Sequence, residues 1–227
     1  MLPSQSSQGS TDNSNITRPL TLHLDNTVWM LGGYLTFSTH NLNEWIKNSY
    51  DWEFQNQKLA FIVTGNNFVI DGQGKGGIDG GGQAWYDYAK GYGNKYGRPM
   101  SLALKGAKNA VVRGFNIIQP QFWAHVVIES QNVAYDNCVV NATNYNPDAD
   151  YERMSWLQNT DGIDTYRSSN VAIRNFVYQG GDDCIAFKPN STNIAVSNVT
   201  CIGGTGIAFG SIGQYPGVVS FASSAFR

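Results

Sequence analysis

Short runs of alternating apolar and polar residues recur along the chain, each opened by an asparagine and closed by a polar turn or glycine. They read Asn67-Phe68-Val69-Ile70-Asp71-Gly72, Asn109-Ala110-Val111-Val112-Arg113-Gly114-Phe115 and Asn132-Val133-Ala134-Tyr135-Asp136-Asn137, then Asn170-Val171-Ala172-Ile173-Arg174-Asn175-Phe176 and Asn193-Ile194-Ala195-Val196-Ser197-Asn198-Val199. Alternation of period two predicts β-strands with Val, Ile and Phe inward and Arg, Asn and Ser outward. The steps from Asn109 to Asn132 and from Asn170 to Asn193 are equal, at 23 positions each. The step from Asn132 to Asn170 is 38 and leaves room for one insertion. Strands at a fixed period, without helical stretches between them, predict a solenoid built one coil per repeat, a parallel β-helix. A β-sandwich would show a hairpin signal roughly every 8–12 residues, and those are scarce. Asparagine suits the bends because it tolerates the left-handed conformation and bonds its own backbone.

Two stretches depart from the pattern. Residues 73–99 are rich in Gly and Tyr and are expected to form a long surface loop. Those glycines lack the strand-turn-helix setting of a phosphate-binding loop. Residues 141–158 form the insertion and are expected to wall a groove. The expected organisation is one incomplete β-helix domain over 1–227, with an irregular N-terminal segment and a tail, 220–227, that continues no coil.

Composition fits a β-rich, turn-rich protein: of 227 residues only 14% are charged, 25 are Gly and 13% are aromatic. A net charge of −2 supplies no basic field for nucleic acid. No apolar run is long enough to span a membrane. The start, MLPSQSSQGSTDNSN, lacks the basic-then-apolar layout of a secretory signal. Four glycosylation sequons, at Asn15, Asn141, Asn190 and Asn198, nevertheless point to a secreted protein. The chain is therefore expected to lack its natural N-terminus.

Candidate chemistry concentrates in Asn159-Thr160-Asp161-Gly162 and Gly181-Asp182-Asp183-Cys184. Asp182 follows Asp161 at nearly the same interval as the strand repeat, so one turn of the solenoid would stack them about 4.8 Å from each other. Crowded carboxylates hold their protons unequally, and that inequality is what glycoside hydrolysis needs: an acid for the leaving oxygen and a base for water. On spacing alone two other readings stand beside catalysis. Asp-Gly pairs are ordinary turn formers, and paired aspartates can bind Ca²⁺.

These residues resemble glycoside hydrolase family 28, the polygalacturonases, whose motifs run Asn-Thr-Asp-Gly, Gly/Gln-Asp-Asp, Gly-His-Gly and Arg-Ile-Lys. Asn159 to Gly162 match the first and Gly181 to Asp183 the second, and the resemblance covers Asn67 to Gly217. It implies a right-handed parallel β-helix, no metal and no cofactor. It also implies hydrolysis with inversion, with Asp182 as general acid and Asp161 and Asp183 activating the water. The third motif reads Gly204-Thr205-Gly206, without the imidazole, and Arg-Ile-Lys is absent. A truncated or mis-spliced product is the expectation that follows.

By the same resemblance Cys184 and Cys201 pair in a disulfide. Counting alone says only that one of three cysteines is left over, and Cys138, on an apolar strand, reads as a buried thiol. Candidates for substrate contact are Asn159, Lys188, Arg167, His125 and Thr205. Lys188 is the best placed to grip a uronate carboxylate; His125 reads equally well as a structural histidine. The activity implied is hydrolysis of α-1,4-linked galacturonic acid in pectin by a secreted monomer. Phe187-Lys188-Pro189-Asn190 and the loop at 141–158 resemble the exo-acting branch, the galacturan 1,4-α-galacturonidase type. The alternatives are a rhamnogalacturonan hydrolase of the same fold, a non-catalytic carbohydrate-binding β-helix and, more remotely, a Ca²⁺-dependent lyase.

Overall fold

The computed structural model describes residues 5–7, 13–149, 155–213 and 222–226. Almost every strand pairs in parallel with its equivalent one coil away, which makes the chain a parallel β-helix with three faces. The first face stacks Leu20–Asp25, 61–65, Leu102–Lys105, His125–Ile128, Ile163–Tyr166, Asp183–Phe187 and Gly206–Phe209. The second stacks Thr27–Met30, 68–71, 108–113, Gln131–Asp136, 169–174, 192–197 and Ala222–Phe226. The third stacks Ser14–Ile16, Tyr34–Phe37, 76–79, 115–118, Val139–Asn141, 176–179 and 199–202.

The core fills the tube between these faces with inward columns such as Ile70–Val112–Tyr135–Ile173–Val196 and Ile78–Ile117–Val140–Tyr178. Each fully buried aliphatic side chain in such a column contributes about 1.5–3 kcal/mol.

The asparagines at the strand starts do what their chemistry allows. Asn67, Asn109, Asn132, Asn170 and Asn193 all take positive φ, between 52° and 56°. Their side-chain amides form a ladder: Asn193 donates to Asn170 (3.0 Å), Asn170 to Asn132 (3.0 Å), Asn132 to Asn109 (2.9 Å) and Asn109 to Asn66 (2.9 Å). The longer interval from Asn132 to Asn170 leaves the ladder unbroken because the insertion leaves the coil between the third and first faces.

Four expectations are corrected. Residues 73–99 are not one loop. The strand Phe61–Asp79 runs through the first glycines, and helix Gly82–Ala89 follows. Gly77 permits this, since a Cβ there would lie 1.7 Å from the Asn116 carbonyl oxygen on the next coil. Helices do interrupt the strands: besides Gly82–Ala89 there is Leu42–Asn48, capped by the Asn41 side chain, which accepts from the Asn43 N–H at 3.1 Å. The N-terminal segment is not irregular over 20–37, where three strands pair with Phe61–Asp79. Nor does the tail leave the coil, because Ala222–Phe226 pairs in parallel with the strand at 192–196.

A small second sheet, Tyr50–Trp52, Gln57–Leu59 and Pro99–Met100, lies over the outside of the first face. Its Trp52, Leu59 and Met100 join Phe54, Ala103, Phe122, Trp123, Val126 and Tyr166 in a second apolar cluster. Over the middle of the face that cover stops at Val126, while at its end Tyr166, one coil further, still packs against Trp52 and Phe54. Beyond Val126 the outward column continues as Asp164, Ala186 and Ala208. There the first face opens into a cleft.

Candidate active site

Two turns deliver the acidic side chains to this opening, and a third adds Thr205. The first precedes the strand Ile163–Tyr166: Thr160 closes on Leu157 through its N–H and its hydroxyl (3.2 and 2.6 Å), and Asn159 takes φ 61°. Asp161 follows, its carbonyl accepting from the Ala124 N–H at 2.8 Å on the preceding coil. Gly162 must be glycine, since a Cβ there would sit 2.5 Å from the Cys184 carbonyl oxygen. The second turn holds Asp182 and Asp183 at the start of the next strand. The Asp182 N–H donates to the Tyr178 hydroxyl (3.0 Å), which donates back to the Asp182 carbonyl (3.1 Å). The third turn, one coil further, brings Thr205, whose hydroxyl donates to Asp183 Oδ1. The Cys184–Cys201 disulfide, with Cα atoms 5.8 Å apart, ties the acidic turn to the strand on the next coil.

Oxygens of Asp161, Asp182 and Asp183 all lie within 4.8 Å of one another. They line a cleft of about 300 Å³ together with Gln55, Asn94, Trp123, Asn159, Lys188 and the backbone around Gly210. Both Asp182 oxygens are oriented by backbone N–H groups, from Asn159 (2.7 Å) and Asp183 (2.9 Å). The same oxygens are close enough to touch a hard cation. Both Asp182 oxygens accept from backbone N–H groups and Asp183 Oδ1 from Thr205, while Lys188 stands 3.7 Å from Asp161 Oδ2.

Behind the cleft lie two buried cations. Lys188, 4% exposed, places Nζ 3.1 Å from Asp164 Oδ1 and 3.7 Å from Asp161 Oδ2, with the Trp123 ring 4.5 Å away. Arg98, wholly buried, donates to the Gln121 and Gln158 carbonyls at 2.8 and 2.9 Å. Burial and the neighbouring Asp164 raise Asp161 well above the ordinary carboxylate range, against the pull of Lys188. Burial pushes Asp164 up to about 7, again opposed by Lys188. Burial also raises Asp183, with Asp182 adding to it and the Thr205 hydrogen bond opposing. The proton such a cluster retains belongs to the group as a whole.

The sequence-derived candidates divide cleanly. Asn159, Asp161, Asp182, Asp183, Lys188 and Thr205 converge on the cleft. His125 does not: it is 0% exposed and sits in the inward column Leu102–His125–Ile163–Ile185, ringed by Phe115, Tyr135 and Phe176. Period-two alternation makes it the inward neighbour of outward Val126. Arg167 also lies elsewhere, stacked on Tyr166 and paired with Glu129 (3.4 Å) and Glu53 (3.8 Å). Lys188 is in place but engaged, its ammonium shared between protein carboxylates. Cys138 is the buried free thiol, held up to about 12 by burial.

Two residues escaped sequence reading. Asp164 stands at the outward position of Ile163-Asp164-Thr165, a polar residue in an otherwise buried strand, and that was a usable signal. Arg98, in the stretch expected to be a loop, carried none.

Fold and site together define a parallel β-helix with a cluster of three aspartates at an open cleft. Residues 8–220 match the family model "Glycosyl hydrolases family 28", and the chain belongs to that family. An Aspergillus flavus protein named "Putative galacturan 1,4-alpha-galacturonidase A" is 54% identical over 202 residues, 88% of this chain and 46% of that protein. The exopolygalacturonase of Cochliobolus carbonum is 40% identical over 187 residues, 82% of this chain and 40% of that protein. The chain thus spans about half the length of the curated relatives it matches. Among solved structures, an endo-xylogalacturonan hydrolase from Aspergillus tubingensis superposes with a TM-score of 0.77 at 25% identity, over 92% of this chain and 52% of that one. Endopolygalacturonase I of Stereum purpureum shares the fold, with a TM-score of 0.72 at 23% identity, over 97% of this chain and 58% of that one.

Proposed function

We propose that the cleft hydrolyses α-1,4-linked galacturonic acid from the end of a pectin chain, with inversion, as a secreted monomer. The observation that carries this reading is the convergence of Asp161, Asp182 and Asp183 within 4.8 Å at the cleft floor. Asp182 gives its proton to the glycosidic oxygen as the C1–O bond breaks. Asp161 and Asp183 take a proton from the water that bonds to C1. Inverting enzymes generally separate acid and base by about 6.5–9.5 Å, more than is found here. Inversion is therefore drawn from the family resemblance and not from this spacing.

End-on attack is supported by the cover on the first face. Trp52, Phe54 and Trp123 fill the outward side at the Val126 coil, and Asn94, bonded through its N–H to Asn159 Oδ1 at 2.6 Å, builds the adjoining wall. A polymer threading the cleft would run into that cover. The names of the relatives point the same way. Of the four sequons, Asn15 and Asn198 are exposed, and Asn141 and Asn190 partly covered.

Asp182→Asn is expected to cut release of galacturonic acid from polygalacturonan about 10²–10⁴-fold, the usual share of a general acid. Proton NMR of the first product anomer reads the stereochemistry. Unchanged release would overturn the role of Asp182, and a retained anomer would overturn inversion.

One observation favours a second reading. Among the described cleft residues the cation is Lys188, and Asp161 and Asp164 already hold it, so a uronate carboxylate meets no free partner. A neutral terminal sugar such as rhamnose needs none, and an Aspergillus niger relative 38% identical over 198 residues is named alpha-L-rhamnosidase rgxB. Product analysis on galacturonan and rhamnogalacturonan separates the two. Binding of either without turnover would favour a non-catalytic β-helix.

A further inference from the structure

Asp164 is wholly buried, and Oδ2 has no hydrogen-bond partner among the described residues. Its Oδ1 faces the Lys188 ammonium at 3.1 Å, closer than Asp161 Oδ2 stands to that ammonium at 3.7 Å. One cation is therefore divided unequally between two carboxylates, and the cleft-lining carboxylate has the smaller share. Asp161 Oδ1 is left without a partner among the described residues.

We propose that Asp164 is a positioning residue for the base. By drawing Lys188 towards itself it keeps Asp161 out of a tight ion pair and so preserves the proton affinity that Asp161 needs to deprotonate water. This rests on the proposed role of Asp161 as a base. An ammonium in full contact with a carboxylate lowers its proton affinity, and a second carboxylate bound to the same ammonium partly cancels that effect. The arrangement also makes Lys188 a counter-ion fixed in the floor, not a ligand for substrate.

The surroundings leave few other groups to exert the effect. Asp161 faces Asp182 and Asp183 from the next coil, with Arg98 and the Tyr178 phenol behind it. Asp164 has the apolar Val126 and Ala186 as its register neighbours, and the charged groups that bear on it are Lys188, Asp183 and Asp182. The Trp123 ring packs against the Lys188 ammonium at 4.5 Å.

The test is a carbon-detected NMR titration of the aspartate carboxyls in the full chain. In the wild type, Asp161 and Asp164 should titrate as a coupled pair, each showing an inflection caused by the other. Asp164→Asn, nearly isosteric, returns the whole ammonium to Asp161 and should move the Asp161 midpoint to lower pH. Lys188→Met removes the ammonium and should move it to higher pH. A merely structural role predicts no such opposed shifts. Independent single-step titrations in the wild type, or shifts of the same sign in the two variants, would overturn the proposal; the wild-type arm decides even if a variant fails to fold.

Because the titration requires no turnover, it separates the two claims. Opposed shifts in a chain that hydrolyses nothing would keep the electrostatic arrangement and sink the proposed function. An active chain with unmoved midpoints would do the reverse. Where activity is measurable, the acid limb of kcat/KM should follow the Asp161 midpoint in Asp164→Asn.

Discussion

His125→Leu should stabilise the protein, and by more in acid than at neutrality. His125 occupies a core position between Leu102 and Ile163 in register, and neither ring nitrogen has a hydrogen-bond partner among the described residues. At pH 7 the leucine removes two buried polar atoms, relieving about 1–3 kcal/mol of uncompensated desolvation. The acid effect follows from linkage. Burial pushes the folded imidazole down from 6.5 to about 3. Below pH 6.5 the unfolded histidine binds a proton that the folded one refuses, so unfolding takes up a proton and stability falls as pH falls towards 3. At about pH 4.5, two units into that window, the histidine costs an additional ~2.7 kcal/mol. Urea unfolding of wild type and His125→Leu at both pH values measures the two gains. Equal gains at pH 7 and pH 4.5, or a less stable variant at both, would refute the placement of a neutral histidine in the core.

The Cys184–Cys201 bridge closes a 17-residue loop, so Cys201→Ser should cost about 3 kcal/mol by the chain-entropy model. Thermal melting should show a fall of roughly 6–12 °C, and a change under about 2 °C would mean the bridge constrains little. Asn132→Ala removes two rungs of the amide ladder and leaves a Cβ-bearing residue without side-chain bonds at φ 56°. The expected loss is about 2–4 kcal/mol in urea unfolding, while Asn132→Gly, which relieves the backbone strain, should recover about 1–2 kcal/mol of it.

The architecture was legible because a solenoid writes its period into the chain. Asparagine-led strands at an even spacing define the coil, and the alternation within each strand assigns the inward face. The acidic pair, Asp161 and Asp182, was legible for the same reason, as was the family resemblance of the turns that carry it. The period also decides between the two readings of His125: its place in the alternation sends it inward, as a structural histidine, and not to the groove. Gly76, Gly77 and Gly80 read as loop in the sequence, yet they serve close packing between coils.

Composition and spacing by themselves determined that this chain would coil, and which aspartates the coil would stack. Only the tertiary structure decided which charges answer which. Lys188 lies just beyond Asp183 in the chain, but its ammonium folds back one coil to Asp164 and Asp161; Arg98 arrives near Asp161 from two coils upstream. Pairings of that kind depend on side-chain direction across coils and on which end of the first face the small second sheet covers. Neither is local, so no window of sequence contains it.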